Sequence, residues 1–152
     1  MTLAERIERY GSGIDDVLAA LERATDEDLD RTPPNGWTAR LVVHHLADSE
    51  LRSCIRLRQL LAEDNPHIQG YDEGHYARVL GYDRPIEGSI ATLKAARLAN
   101  LELLERITDK DLERSGHHDE SGRYTLDDWL TIYGEHPREH ADQIRRAREG
   151  RD

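Results

Sequence analysis

Phenylalanine is absent from this 152-residue chain, cysteine and methionine occur once each, and aromatic residues reach only 5%. The lone Cys54 excludes an intrachain disulfide framework and suits a reducing cytoplasm. No apolar run is long enough to span a bilayer, and Met1-Thr2-Leu3-Ala4-Glu5-Arg6 lacks the apolar centre of a secretory leader, so no membrane partner is expected. Positive charge is in deficit: 21 basic residues against 31 acidic ones leave a net charge of −10. Such a chain repels phosphate backbones, which argues against nucleic acid as a partner. The length fits a single domain over residues 1–152, large enough to bury a core. With 34% charged residues, what is present points to helices with well-solvated outer faces.

Apolar spacing supplies four helices and little that reads as strand. Leu3, Ile7, Tyr10, Ile14, Val17, Leu18 and Leu21 recur at intervals of three and four, an amphipathic helix weakened locally by Gly11 and Gly13. A polar connector from Thr25 to Gly36 ends it, and Thr38 caps a second helix running from about Ala39 to Glu63. Residues 64–85 form a long connector rich in Pro and Gly, with a helical turn near 74–80. A third helix spans about 86–107. After a polar loop, Thr125 caps a fourth helix that ends near Arg148. The stretch Leu21-Glu22-Arg23-Ala24-Thr25-Asp26-Glu27-Asp28-Leu29 is echoed by Leu104-Glu105-Arg106-Ile107-Thr108-Asp109-Lys110-Asp111-Leu112, as if two helix-loop-helix halves were joined. A long link between halves lets helices 2 and 3 run parallel. The expected fold is therefore all-α, a four-helix bundle in up-down-down-up order.

Three histidines carry the chemistry. His136 and His140 lie one turn apart in the stripe Leu126, Trp129, Tyr133, His136, His140, Ile144, where a bundle would otherwise place leucine. His45 begins a polar strip with Asp48, Ser49 and Arg52 on the second helix. Polar side chains inside a bundle are costly unless paired or metal-bound, so the three point to one shared divalent ion. Three nitrogens with a position left open mark a catalytic rather than a structural site. Zinc is the first expectation and nickel the second. His44 should point about 100° away from His45, towards a flank or subunit contact. His117 and His118 read as solvated loop residues, and His67 and His75 as residues able to reach over the bundle mouth. Glu139 completes an H-x-x-E-H string with His136 and His140, but is out of phase with both and should face outward.

The segment Gly36-Trp37-Thr38-Ala39-Arg40-Leu41-Val42-Val43-His44-His45-Leu46-Ala47-Asp48-Ser49 resembles the first motif of the DinB/YfiT-like metalloproteins, in which a Trp-Thr cap precedes the first metal histidine by eight residues. Ile55-Arg56-Leu57-Arg58, Asn65-Pro66, Tyr71-Asp72-Glu73, Ser121-Gly122-Arg123 and the His136/His140 pair continue the likeness to the YfiT branch over nearly the whole chain. The resemblance implies a four-helix bundle, often dimeric, binding one divalent ion per subunit through three histidines. It also implies either zinc-dependent hydrolysis or a thiol-dependent reaction such as bacillithiol transfer. Two departures stand out: Pro137 directly follows a ligand position and should kink the last helix, and Tyr76 stands where the branch often has Trp.

A three-histidine ion can acidify water for hydrolysis, or hold a thiol as thiolate for delivery to an electrophile. Asp48, Ser49 and Arg52 are the catalytic candidates, followed by Asp72 and Glu73. Arg52 can pair with an anionic cosubstrate, and Cys54 reads as packing. The leading expectation is transfer of a low-molecular-weight thiol to a small electrophilic substrate. Metal-dependent hydrolysis comes next, and a non-catalytic metal- or ligand-binding bundle last. Leu46, Leu57, Leu60 and Leu61 are the expected apolar patch of a homodimer.

Overall fold

The structure, a computed structural model, describes residues 1–152. In chain order it contains α1 (Leu3–Ala20), α2 (Asp26–Asp30), α3 (Ala39–Ala62), β1 (His67–Ile68), α4 (Glu73–Val79), α5 (Glu87–Leu104), β2 (Ser115–His118), β3 (Gly122–Thr125) and α6 (Leu126–Arg148). Threonine side chains set most starts. Thr2, Thr38 and Thr125 accept the backbone N–H of Glu5, Leu41 and Asp128, and Glu5 and Asp128 complete capping boxes. The same box, Thr25 with Asp28 and Thr108 with Asp111, opens α2 and a 3-10 turn at Asp109–Glu113. The internal echo is thus a repeated capped turn that leads the chain out of one long helix towards the next.

The bundle comprises α1, α3, α5 and α6, and side-chain ladders show their directions. Arg6 and Arg9 of α1 reach Asp127 and Glu135 of α6, and Arg148 donates to the Ala20 carbonyl, so these two helices run parallel. His44 with Ser89, Glu50 with Arg97 and Arg58 with Asn100 place α3 parallel to α5. Contacts from His45 to His140 and from Trp129 to Ser53 run the opposite way, so α3 and α6 are antiparallel. No helix is long and apolar enough to cross a membrane.

The chain is mostly rather than wholly helical. A three-stranded sheet departs from the all-α expectation: β1 pairs parallel with β2, and β2 antiparallel with β3. These strands are too short and too polar to show a two-residue alternation, and their pairing depends on a close approach instead. A Cβ on Gly116 would stand 2.4 Å from the Pro66 carbonyl oxygen, so only glycine lets the 64–85 connector lie against the hairpin.

Two apolar clusters fill the bundle. One is built around Val17, Val42, Leu46, Leu93 and Ile144, the other around Tyr10, Leu57, Leu60, Leu126, Trp129 and Tyr133. Leu46, Leu57 and Leu60 are enclosed in the core of this chain and Leu61 is partly buried against it, so the expected dimer patch keeps only part of one of its four residues at the surface. A buried polar group joins the helices in the same interior. Arg97 donates to Glu50 Oε2 at 3.0 Å, and Glu50 Oε1 accepts from Tyr10 Oη at 2.6 Å and Ser53 Oγ at 3.0 Å.

Arg97 also explains how α6 tolerates Pro137. Proline has no N–H, so the carbonyl four residues earlier, that of Tyr133, loses its helical donor. Arg97 Nη1 donates to that oxygen at 3.2 Å, and α6 runs through Pro137, where a kink was expected, to Arg148. Gly13 makes room for the ring, since a Cβ there would meet Pro137 Cγ at 2.6 Å. Replacing Arg97 by Met should leave Glu50 buried without its countercharge and Tyr133 O without a donor. Urea unfolding of the metal-free protein is expected to show a loss of about 3–5 kcal/mol. A loss below about 1 kcal/mol, typical of a surface ion pair, would contradict this role.

Candidate metal centre

Helical phase brings the three histidines together. His45 projects from α3, and His136 and His140 from consecutive turns of α6, so that one nitrogen from each lies within 4.8 Å of the others. Ring centroids are 4.4 Å apart for His136 and His140, 4.8 Å for His45 and His140, and 5.3 Å for His45 and His136. The His136 and His140 Nε2 atoms face each other at 3.0 Å. Two nitrogens bound tetrahedrally to one zinc ion stand roughly 3.4 Å apart, so this spacing fits a shared ion with little adjustment. His140 Nδ1 is 2.7 Å from Gln143 Oε1, which can only accept; the proton is therefore on Nδ1 and the Nε2 lone pair faces the centre. The buried Nδ1 atoms of His45 and His136 have no hydrogen-bond partner. No carboxylate or thiol joins the three imidazoles. The donor set therefore fits a divalent ion with a position left open.

Burial prepares these ligands. It pushes the His45 pKa down to about 4, aided by His140, and drives His136 far below the ordinary imidazole value, with His140 and His45 adding to the effect. His140 is also lowered by burial, against the opposing bond to Gln143. Neutral imidazole is the form that binds a metal.

Beside His136 opens a cavity of about 250 Å³, lined by Ser49, Arg56, Tyr71, Glu73, His118 and Tyr133, with Gly70, Glu120 and Ile132 completing the wall. Of the three catalytic candidates, Ser49 alone lines it. Asp48 accepts a hydrogen bond from Tyr82 Oη, and Arg52 donates to Tyr76 Oη, so the departure from Trp at position 76 supplies that acceptor. Arg52 faces a second cavity of about 260 Å³, shared with Ile55, Arg56, Gln59, His67 and Gln69. Asp72 caps α4 by accepting the His75 N–H, while Glu73 reaches the histidine cavity.

Several other residues differ from their sequence reading. His44 is fully enclosed within this chain, bonded to Ser89 Oγ at 2.7 Å and to the Arg84 carbonyl at 2.8 Å. His118 is not solvated: it sits in β2, accepts the Glu120 N–H and lines the cavity. His117 and His75 are exposed, and His67 pairs with Asp119 at the surface. Glu139 faces outward, and Cys54 packs against the Ala96 carbonyl, burial raising its thiol pKa. Sequence reasoning assigned no role to Arg56, although it follows Arg52 by one turn. Gln143 also went unassigned, although it lies three residues beyond His140.

Comparison with known proteins agrees with this geometry. Residues 10–144 match the DinB superfamily. An Oceanobacillus iheyensis protein named a "putative metal-dependent hydrolase" is 38% identical over 109 residues, 72% of this chain and 63% of that protein's length. A Bacillus mycoides protein of the same designation is 34% identical over 151 residues, 95% of this chain and 87% of that one. YfiT from Bacillus subtilis, described as a probable metal-dependent hydrolase with an unusual four-helix bundle topology, aligns with a TM-score of 0.88. Its identity is 32%, covering 99% of this chain and 89% of that chain. The chain belongs to the DinB superfamily, as the motif around His45 led us to expect.

The depressed histidine pKa values fix a pH dependence. An unfolded imidazole titrates near 6.5, so below that pH the unfolded state binds more protons than the native one. Metal-free protein should hold constant stability from these groups above about pH 6.5 and lose it on acidification towards pH 4, where His45 itself protonates. Denaturant midpoints recorded across that range for the chain and for His45→Gln check this. An unchanged slope in the variant would contradict it.

Proposed function

We propose that the protein is a divalent-metal-dependent hydrolase of a small substrate. The observation that carries this is the convergence of three neutral imidazoles, with no fourth protein ligand, one of which, His136, lines a small polar cavity. The designation of the relatives as metal-dependent hydrolases supports it. His45, His136 and His140 would hold the ion, zinc before nickel, and Gln143 fixes the His140 tautomer. When bound, such an ion supplies Lewis-acid activation of water and of a substrate oxygen. Glu73 is the cavity carboxylate whose charge acts on His140, and we assign it the general base that takes the proton of the attacking water. Ser49 and Tyr133 offer hydroxyls that orient the substrate, and Ile132 narrows the cavity.

Transfer of a low-molecular-weight thiol to a small electrophile is the second reading. Hydrolysis needs one substrate and water, which a cavity of about 250 Å³ can hold. Thiol transfer needs a second molecule, and the adjoining cavity of about 260 Å³ is the feature in its favour. A homodimer belongs to the same proposal. It must use a face other than the buried leucines, and Leu51, Ile55 and Leu98 are the exposed apolar residues on the paired helices α3 and α5.

Metal analysis and turnover decide between these. His45→Ala, His136→Ala and His140→Ala should each lose most of the bound metal; full occupancy in the triple variant would overturn the ligand assignment. Zinc-loaded protein should hydrolyse an activated ester without added thiol. Glu73→Gln should retain the metal while kcat falls about 10²–10⁴-fold. Turnover of an alkylating electrophile only when a thiol is supplied, with no ester hydrolysis, would establish the second reading instead.

A further inference from the structure

The two cavities meet at one side chain. Arg56 lines both, donating Nη1 to Tyr133 Oη at 3.1 Å and Nη2 to the Gln69 carbonyl at 2.8 Å. Its Nε is buried and has no partner, and neither has the buried hydroxyl of Tyr71, which lines the histidine cavity beside it. Arg56 beside the Tyr124 hydroxyl and Ser49 beside Tyr71 are near enough to oppose the upward pKa shifts that burial gives those two phenols, but neither contact closes to a hydrogen bond. Buried donors in native proteins are nearly always satisfied, so the two at this wall call for an acceptor. Arg52, one turn before Arg56 on α3, lies with its guanidinium carbon 5.0 Å from the Tyr71 ring centroid and 5.7 Å from that of Tyr76. The charges are equally unbalanced. The chain carries an excess of ten acidic residues, and Arg6, Arg9, Arg40, Arg97 and Arg138 are each paired with a carboxylate. Arg52 and Arg56 have no such partner, which is equally true of arginines such as Arg58 and Arg84; what sets these two apart is their place at the cavities, where the neighbouring Asp119 is already engaged by His67 and the Gly70 N–H.

We propose that this wall is an oxyanion subsite, in which Arg56 and Tyr71 bind a carboxylate or phosphate group of the substrate and Arg52 adds positive charge from the far side. Resting on the assignment of the histidine cavity as the reaction site, it narrows the substrate class to small molecules that carry an anionic group next to the bond that is cleaved. A guanidinium offers an oxyanion planar, charge-assisted hydrogen bonds, and a phenol adds a neutral donor. Glu73 and Glu120 line the same cavity, so anion binding depends on the directed donors of Arg56 and Tyr71 and not on a net positive charge of the wall.

The test is a titration of full-length, zinc-loaded, ¹⁵N-labelled protein with sodium phosphate, sodium acetate and sodium chloride at matched ionic strength, read at the Arg56 Nε–H signal. Phosphate or acetate should shift that signal where chloride does not, and the tighter of the two identifies the group preferred. Repeating the titration on metal-free His45→Ala protein removes binding of the anion to the ion itself. Arg56→Gln should weaken anion binding about tenfold or more, and Arg52→Gln about threefold. Tyr71→Phe removes one hydroxyl and leaves the bonds of Arg56 to Tyr133 and Gln69 in place, so it tests the subsite in a protein that still folds, and a weakening of about threefold is expected. An equal shift with chloride, or wild-type anion affinity in both Tyr71→Phe and Arg56→Gln, would overturn the proposal. Anion binding without ester turnover would remove the hydrolase reading and leave the subsite standing. Ester turnover without an anion-specific shift would do the reverse.

Discussion

The buried pair of Glu50 and Arg97 is the interaction on which the bundle and its site depend. All four long helices meet at it: Glu50 and Ser53 from α3, Arg97 and Asn100 from α5, Tyr10 from α1 and the Tyr133 carbonyl from α6. A buried ion pair adds little net stability over a well-packed apolar group, because both ions must be desolvated. What it contributes here is register. Arg97 spends its donors on Glu50, on Tyr10 O and on the oxygen that Pro137 leaves without a partner, while its guanidinium stacks 3.9 Å above the Tyr10 ring centroid. Lysine, a point charge without a planar fork, could not serve those acceptors together. Pro137 follows His136 directly, so the same guanidinium that closes the polar core also secures the backbone beside one of the three clustered histidines.

That dependence runs in one direction. The polar group is satisfied within the protein apart from Arg97 Nε, whereas in the histidine cluster a turn away the Nε2 atoms of His136 and His140 face only each other. A densely connected network rigidifies its surroundings, and facing imidazole nitrogens with no other partner leave room for a ligand. Side by side, they give an interior in which one polar layer is fixed and the next is receptive. The depressed imidazole pKa values follow from the same burial, which keeps the ligands unprotonated without any base beside them.

The sequence was most informative where local chemistry repeats. Thr38 and Thr125 begin the two ligand-bearing helices where their capping patterns place them, and the stripe from Leu126 to Ile144 faces inward along its whole length. Four-residue spacing was therefore enough to unite His136 with His140, and the phase of His45 brought in the third ligand. It was least informative where structure depends on pairing between distant segments. Ser115-Gly116-His117-His118 has no strand-like pattern, and becomes one because Gly116 accepts the Pro66 backbone against it. The burial of His118 is a consequence of that contact and has no local signal. Leu46, Leu57 and Leu60 were misplaced for a related reason: α3 is packed on more than one side, so a single polar strip did not define its outer face. Arg56 was overlooked because its importance lies in what it lacks, a carboxylate, and a sequence does not show missing partners.

The ligands and the cavity wall come from different kinds of structure. His45, His136 and His140 stand on long helices locked by the core, whereas Gly70, Tyr71, Glu73, His118 and Glu120 belong to two surface connections and the short helix α4. Those connections are joined by a parallel pairing only two residues long, His67 and Ile68 against His117 and His118, beside the close approach of Pro66 to Gly116. A substitution in the outer wall can therefore reshape the cavity while the histidine cluster on the long helices keeps its geometry. The chain thus separates what sets the spacing of the imidazoles from what sets the contour beside them, a modularity built into where it places its rigid and its pliable parts.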